Sequence, residues 1–356
     1  MKDKYYLLFK TGDAELRALK HTNIDFSRVI PIIELTRGRK SKYDKIGNIS
    51  KRIEKIAEIF CGQKVCLDIT SAASLGNPEI DELYDPEDGY KNWVSFLMEL
   101  QSDGVFEEII PTILVDTEDE KLTENLRTQV KRMTSVFKSI VYRNNIIDDG
   151  CYDDIDIISE YFNNTDLNLN FVIDCEYVPT GAYPTTVELI NTRISKIKRK
   201  VPTANFIIVS TSFPRYVSDI GNDDYDIFPL NEIDIYNEVK KEHPKVQYGD
   251  YASVNPIRND TVTMARGWIP RIDVPTLQGI YYYRIRNTIK DYALTYSRVA
   301  KKVYLDEKFP HDMAGNWGIK QIMICKEGDS PGSSPSYWIS VRISIFIAMQ
   351  LKHRFN

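Results

Sequence analysis

Two carboxylates end the most apolar strand-like segment of the chain. Asp174 and Glu176 follow Phe171, Val172 and Ile173, with one residue between the two acids. On an extended chain, residues two positions apart point to the same face. A buried strand that becomes acidic only at its carboxyl end is typical of the place where an α/β barrel builds its site. We therefore predict that Asp174 and Glu176 are catalytic acids.

Four other hydrophobic runs also end in an acid, and one more ends near a cation. The acids are Glu34, Asp68, Asp116 and Asp250, and the cation is Arg143. Because the carboxyl ends of parallel strands meet at one rim of a barrel, we expect these side chains to converge there. The four acids are predicted binding residues, and Arg143 is predicted to act with the catalytic pair.

A cluster of this many carboxylates needs cations, because like charges raise each other's pKa. Mg²⁺ is one solution, since it prefers carboxylate oxygens and activates bound water, and its expected ligands are Asp68, Asp116 and Asp174. Arginine pairing is the other solution, with Arg271 and Arg284 folding over the rim. A purely structural ion-pair network has the same appearance, so the acids alone leave catalysis open.

The elements that must position these residues recur regularly. From residue 5 to residue 250, strand-like runs begin roughly every 25 to 45 residues, and a helical pattern lies between most pairs. Eight such units predict a closed (β/α)₈ barrel of the TIM type over residues 1–256. No GxGxxG or GxxxxGK[ST] motif follows the first strand, so the usual marker of open nucleotide-binding sheets is missing.

The regular alternation stops after residue 256, and we predict that residues 257–356 form an elaboration packed on the barrel. Its predicted elements are two strands at 264–273 and 280–286, a helix at 288–302, a short strand at 319–325 and a closing helix from Ser336. Three consecutive tyrosines, at 281 to 283, are followed closely by two arginines, so this segment combines aromatic and cationic side chains. This run predicts either a half-buried ribbon or a surface that stacks nucleic-acid bases.

Composition restricts the class of protein. The 356 residues are 42% hydrophobic and 27% charged with a net charge of −5, which is typical of a globular protein and does not favour nucleic acid as a partner. The five cysteines lack a CxxC pair, and no signal-peptide or membrane-spanning segment is recognisable. We expect a cytoplasmic protein that does not bind membranes. The four histidines lack zinc-ligand spacing.

Short segments spread over nearly the whole chain resemble the Beta family of phage, prophage and bacterial proteins. The similar segments are Lys10–Leu19, Ile30–Glu34, Tyr248–Ala252 and Gly328–Gly332, the last leading into Trp338. The resemblance implies a role in phage exclusion or anti-phage defence, together with a protein encoded nearby or a phage component. Tyr251, inside one of these segments, is included among the expected binding residues.

Three hypotheses follow. In the first, the barrel needs no cofactor and recognises a protein or a nucleotide-bearing partner at its acidic rim. In the second, the same rim is a Mg²⁺-dependent phosphodiesterase or nuclease, with Arg143 on the phosphate. In the third, the chain forms oligomers through the aromatic segment that contains Trp268 and Tyr282.

Overall fold

Eight parallel strands close into a barrel. The computed structural model describes residues 3–216, 223–257, 267–286 and 291–355. The first nine strands are β1 (Tyr5–Lys10), β2 (Val29–Leu35), β3 (Lys64–Ile69), β4 (Glu108–Ile113), β5 (Ser139–Asn145), β6 (Asn168–Tyr177), β7 (Asn205–Thr211), β8 (Tyr225–Phe228) and β9 (Gln247–Asp250). All except β8 join the barrel, in the order β1 to β7 and then β9, which pairs with β1. The predicted TIM-type barrel is confirmed.

Helices connect the barrel strands and cover their outer faces. They are α1 (Asp13–His21), α2 (Ser50–Phe60), α3 (Pro78–Tyr84), α4 (Glu87–Ser102), α5 (Leu122–Thr134), α6 (Cys151–Phe162), α7 (Tyr183–Lys200) and α8 (Asn231–Glu242). In α2, Ile56 and Phe60 are four residues apart and therefore lie on one buried face. At the start of α3, the Asn77 side chain accepts a hydrogen bond from the Ile80 amide, which caps the helix.

Alternation along the strands separates the barrel interior from the outer core. The interior apolar residues are Tyr6, Leu8, Ile32, Cys66, Ile110, Val141, Val172, Ile207, Val209 and Tyr251. The intervening residues of the same strands contact the helices instead. The interior is thus filled by side chains, and polar groups on the inward face lie toward the carboxyl ends of the strands.

A three-stranded antiparallel sheet lies beside the barrel. Its strands are β10 (Arg271–Pro275), β11 (Ile280–Arg284) and β8, in the order β10-β11-β8. The predicted strand pair is present in β10 and β11, although residues 264–266 lie outside the described ranges. The sequence did not predict β8. Tyr281 and Tyr282 are buried, so these two rings are core residues and not a base-stacking surface.

The remaining helices are α9 (Tyr292–Leu305), α10 (Trp317–Lys326) and α11 (Pro335–His353). The predicted strand at 319–325 is wrong, because these residues lie within α10. The Asn316 side chain caps α10 by accepting from the Ile319 amide. No helix in the described ranges is both long enough and apolar enough to cross a lipid bilayer.

Helix α11 joins the two parts of the chain. The Ser344 hydroxyl lies 2.8 Å from the Thr22 hydroxyl, just beyond α1, and the Arg342 guanidinium pairs with Asp273 of β10 at 2.6 Å. Beyond the helix, the Phe355 ring stacks on Tyr5 of β1 with centroids 5.3 Å apart. The C-terminal segment therefore packs on both the barrel and the added sheet.

Gly249 permits the close approach of strands where the barrel closes. A Cβ at this position would lie 2.8 Å from Val209 Cγ2 and 3.0 Å from the Tyr6 carbonyl oxygen. We expect Gly249→Ala to lower the free energy of unfolding by about 1–3 kcal/mol, as overpacking of a closed core does. Urea denaturation measures this change. Gly181→Ala is the control, since no atom lies within 4 Å of its added Cβ; equal stability of the two variants would contradict the prediction.

Candidate functional site

Arg143, on the inward face of β5, binds three carboxylates from three other strands. Its Nη1 lies 2.9 Å from Glu34 Oε2 and 2.8 Å from Asp68 Oδ2. Its Nε and Nη2 lie 2.9 and 2.7 Å from Asp174 Oδ2. Nη2 also lies 3.3 Å from the hydroxyl of Tyr251. A guanidinium has five N–H donors; four of them form hydrogen bonds with these partners, and Nη2 also lies at ion-pair distance from Asp174.

Further contacts fix the carboxylates around Arg143. The Tyr251 hydroxyl lies 2.6 Å from both carboxylate oxygens of Asp174. The Glu176 amide donates to Asp174 Oδ1 at 2.9 Å. The Lys10 ammonium pairs with Glu34 Oε1. Each of these acids therefore has a fixed position before any ligand arrives.

The acids of this cluster differ in their pKa values. Burial opposes ionisation of Glu34, but Lys10 and Arg143 outweigh it and lower its pKa to about 2. Burial raises the pKa of Asp68, and Glu34 adds to this increase against the effect of Arg143. Burial and the neighbouring Asp174 raise the pKa of Glu176. Asp68 and Glu176 are therefore less compensated by cations than Glu34.

Burial also opposes the charge on Arg143, but its carboxylate partners prevail. Asp174 is the largest of these contributions, and the pKa of Arg143 is raised well above its usual value. The guanidinium is consequently a permanent positive charge at the centre of the cluster.

These residues line a cavity of about 430 Å³ at the carboxyl ends of the strands, which we call the mouth cavity. Its charged lining residues are Lys10, Glu34, Asp68, Arg143, Asp148, Asp154, Asp174 and Glu176. Glu176 has a φ of 49°, in the left-handed region, where the register of β6 shifts between Asp174 and Tyr177. The irregularity thus lies at Glu176, which lines the cavity together with Asp174.

Two predicted acids lie elsewhere. Asp116 follows the end of β4 and does not line the cavity; its Oδ1 accepts from the Glu118 amide, so the side chain stabilises its own loop. Asp250 points away from the barrel interior, because Gly249 pairs with the inward-facing Val209. The predicted convergence of Asp116 and Asp250 with Arg143 is not seen in the described structure. Asp250 instead accepts from two buried tyrosine hydroxyls, each at 2.7 Å.

The two late arginines also lie apart from the mouth cavity. The Nε atom of Arg271 lies 2.7 Å from Asp273 Oδ1. The Nε atom of Arg284 lies 3.6 Å from Asp224 Oδ1. Neither lines the cavity, so the prediction that they fold over the acids was wrong. The barrel supplies its own arginine, Arg143.

The predicted metal ligands do not form one group. Asp68 and Asp174 both bind Arg143, whereas Asp116 is outside the cluster. Within the described residues, no three or more His, Cys, Asp or Glu side chains are arranged to hold a metal ion. A Mg²⁺ ion at this position would need Asp68 and Asp174 to leave the guanidinium, so the residues present do not fit the ion.

Sequence reasoning missed two residues of the site, Lys10 and Thr112. Lys10 shares the inward face of β1 with Tyr6 and Leu8, and Thr112 pairs with the inward-facing Val141. Alternation from these interior residues would have identified both. The prediction relied on acids at the ends of strands, whereas Lys10 is a cation and Thr112 is uncharged.

Comparison with known proteins confirms the predicted family. A model of the Beta protein family matches residues 5–352. Protein beta of Enterobacteria phage P4 is 25% identical over 354 residues, covering 98% of this chain and 93% of that protein.

Similarity to solved structures is weaker. The carboxyl transferase domain of Rhizobium etli pyruvate carboxylase with 3-hydroxypyruvate has a TM-score of 0.36 at 11% identity, and the match covers 97% of this chain but 48% of that one. For the chitinase of Chromobacterium violaceum the TM-score is 0.30 at 9% identity, with 96% and 99% of the two chains covered. From the match to the family model, the chain belongs to the Beta protein family.

Proposed function

We propose that this protein is a component of a phage-exclusion or anti-phage defence system. In this proposal it acts in the cytoplasm and recognises a protein or a nucleotide-bearing partner at the mouth cavity. The relationship to a protein of phage P4 supports an association with phage biology. The partner is either encoded by a neighbouring gene or a component of an infecting phage.

The observation that carries the recognition role is the set of polar groups that Arg143 holds together in an open cavity. Asp174 is held by Arg143 and by Tyr251, so its position does not depend on a ligand. Preformed polar groups that converge in a concave site are characteristic of binding pockets. A site with this little freedom loses little conformational entropy on binding, which favours affinity and specificity.

The phosphodiesterase alternative has less support. A phosphate needs free N–H donors, whereas Arg143 already pairs with three carboxylates and uses four of its five donors. The acids proposed as Mg²⁺ ligands are also separated or paired with that guanidinium. We therefore propose recognition and not hydrolysis as the role of the cavity.

A phage-exclusion assay tests this proposal. A bacterial strain carries the gene with its native neighbours, and the efficiency of plating is measured for a panel of phages. We expect Glu176→Gln to abolish exclusion, because it removes a cavity charge that forms no ion pair with a cation of the described chain. Asp116→Asn is the matched control, since it removes a loop carboxylate outside the cavity and should leave exclusion unchanged.

Circular dichroism confirms that both variants are folded. Full exclusion by the Glu176→Gln strain would contradict a role for the mouth cavity. Absence of exclusion by the wild-type gene with its neighbours would contradict the proposed biological role.

A further inference from the structure

The mouth cavity has many more anionic acceptors than cationic donors. Six carboxylates and two cations line it. Both cations are already paired, because Arg143 contacts Glu34, Asp68 and Asp174 and the Lys10 ammonium is bound to Glu34. A ligand that enters the cavity therefore meets a surplus of carboxylate oxygens, among them those of Asp68 and Glu176, and each carboxylate can accept about four hydrogen bonds. An anionic ligand would add a further negative charge to this surplus.

A second, independent observation points into the same cavity. Thr112 lines it and is only 3% exposed, and its hydroxyl has no hydrogen-bond partner in the described chain. It lies on the inward face of β4, because it pairs with the interior residue Val141. Buried polar groups are nearly always hydrogen-bonded, and a bound ligand is one way to supply the missing partner.

The position of Thr112 places this hydroxyl beside the carboxylates. Strands β3 and β4 pair in register up to Leu67 and Pro111, and Asp68 and Thr112 are the next residues along these strands. Tyr84 lines the same cavity, and an aromatic ring face stabilises a bound cation. Acceptors, a free hydroxyl and an aromatic side chain are thus all present.

We propose that the mouth cavity binds a guanidinium or primary ammonium group. The group donates to the carboxylates of Asp68 and Glu176, and the Thr112 hydroxyl bonds a polar atom of the same ligand. This inference rests on the proposed function and names the chemistry that the partner offers. Its source is either an arginine or lysine side chain of a protein or a free amine.

Isothermal titration of the full-length protein tests the inference. The probes are agmatine as a free amine, the capped peptide acetyl-Gly-Arg-Gly-amide as a protein side chain, and inorganic phosphate as an anionic control. We expect one molecule of a cationic probe to bind, with no binding of phosphate. Agmatine binding identifies a free amine as sufficient, whereas binding of the peptide alone identifies a protein side chain.

Three variants assign the binding to the cavity. Glu176→Gln should weaken cation binding at least roughly tenfold, because charge-assisted hydrogen bonds are the strong ones. Thr112→Val keeps the shape of the side chain and should weaken it several-fold. Asp116→Asn should bind as the wild type does, since it removes one negative charge outside the cavity.

No saturable binding of either cationic probe up to about 10 mM, a concentration at which even weak specific binding is detected, would overturn the inference. Binding of phosphate, or equal cation affinity in Glu176→Gln and wild type, would overturn it as well. Exclusion that depends on Glu176 without cation binding would contradict this inference alone. Cation binding without any role of Glu176 in exclusion would contradict the proposed function alone.

Discussion

Arg143→Met is expected to lower the free energy of unfolding by roughly 3–5 kcal/mol, the range measured when one partner of a buried ion pair is removed. The variant keeps most of the side-chain volume but leaves Glu34, Asp68 and Asp174 without their shared cation. Three buried carboxylates then repel one another and must take up protons or unfold. Urea denaturation followed by circular dichroism measures the loss.

Two controls separate charge from packing. Arg127→Met removes an arginine from an exposed pair with Glu160 and should leave the free energy of unfolding nearly unchanged, because exposed ion pairs contribute little. Neutralising the three acids in the Arg143→Met background, with Glu34→Gln, Asp68→Asn and Asp174→Asn, should restore part of the lost stability. Loss of less than about 1 kcal/mol in the single variant would show that the cluster is not the stabilising unit inferred here.

The second large effect is a decrease in stability as the pH rises through the acidic range to neutrality. Glu232 and Asp250 are buried on the outer side of the barrel wall, and burial is the largest influence on the pKa of each. Burial raises the pKa of Glu232 to about 7 and that of Asp250 to about 6. The folded state therefore binds these protons more tightly than the unfolded state does.

The direction in which stability changes with pH follows from this difference in proton binding. The stability that Glu232 contributes is complete below its ordinary pKa of 4.5 and is lost as the pH rises through about 7. For Asp250 the corresponding pKa values are 3.8 and about 6. Each unit of difference is worth about 1.4 kcal/mol, so Glu232 alone accounts for on the order of 3 kcal/mol at pH 8. Glu34 has the opposite effect. Because its pKa is lowered, the stability that it contributes is lost as the pH falls through about 2.

Glu232→Gln tests the pH effect. The variant should lose less stability than the wild type between pH 5 and pH 8, as measured by urea denaturation at both values. Glu238→Gln, on the exposed side of the same helix, should follow the wild-type curve. Parallel curves for Glu232→Gln and wild type would contradict the assignment.

The barrel and half of the site were predictable because one physical rule governs both. Alternation within a strand places residues on fixed faces, and parallel strands bring their carboxyl ends together. Glu34, Asp68, Arg143 and Asp174 obey this rule and meet as expected. The assumption that every acid at the end of a strand faces inward was wrong for Asp250.

The face of Asp250 depends on contacts with residues far away in sequence. Asp250 is buried on the outer face because Tyr5 and Tyr248 supply hydroxyl donors there, while Gly249 takes the crowded inward position. A period of two permits either face, and only the packing of β9 against its neighbours decides between them. The same limit applies to β8, whose partner strand β11 lies some 50 residues later in the chain.

The pairing of β1 with β9 has a consequence for biosynthesis. The two strands are about 240 residues apart, and a ribosome that adds 5–20 residues per second needs roughly ten to fifty seconds to deliver the second after the first. During that interval the nascent chain carries an apolar strand with one unsatisfied edge, which is a template for association with other chains. Shielding of the emerging polypeptide by chaperones, and slow translation at low temperature, should therefore determine how much correctly folded protein a cell obtains.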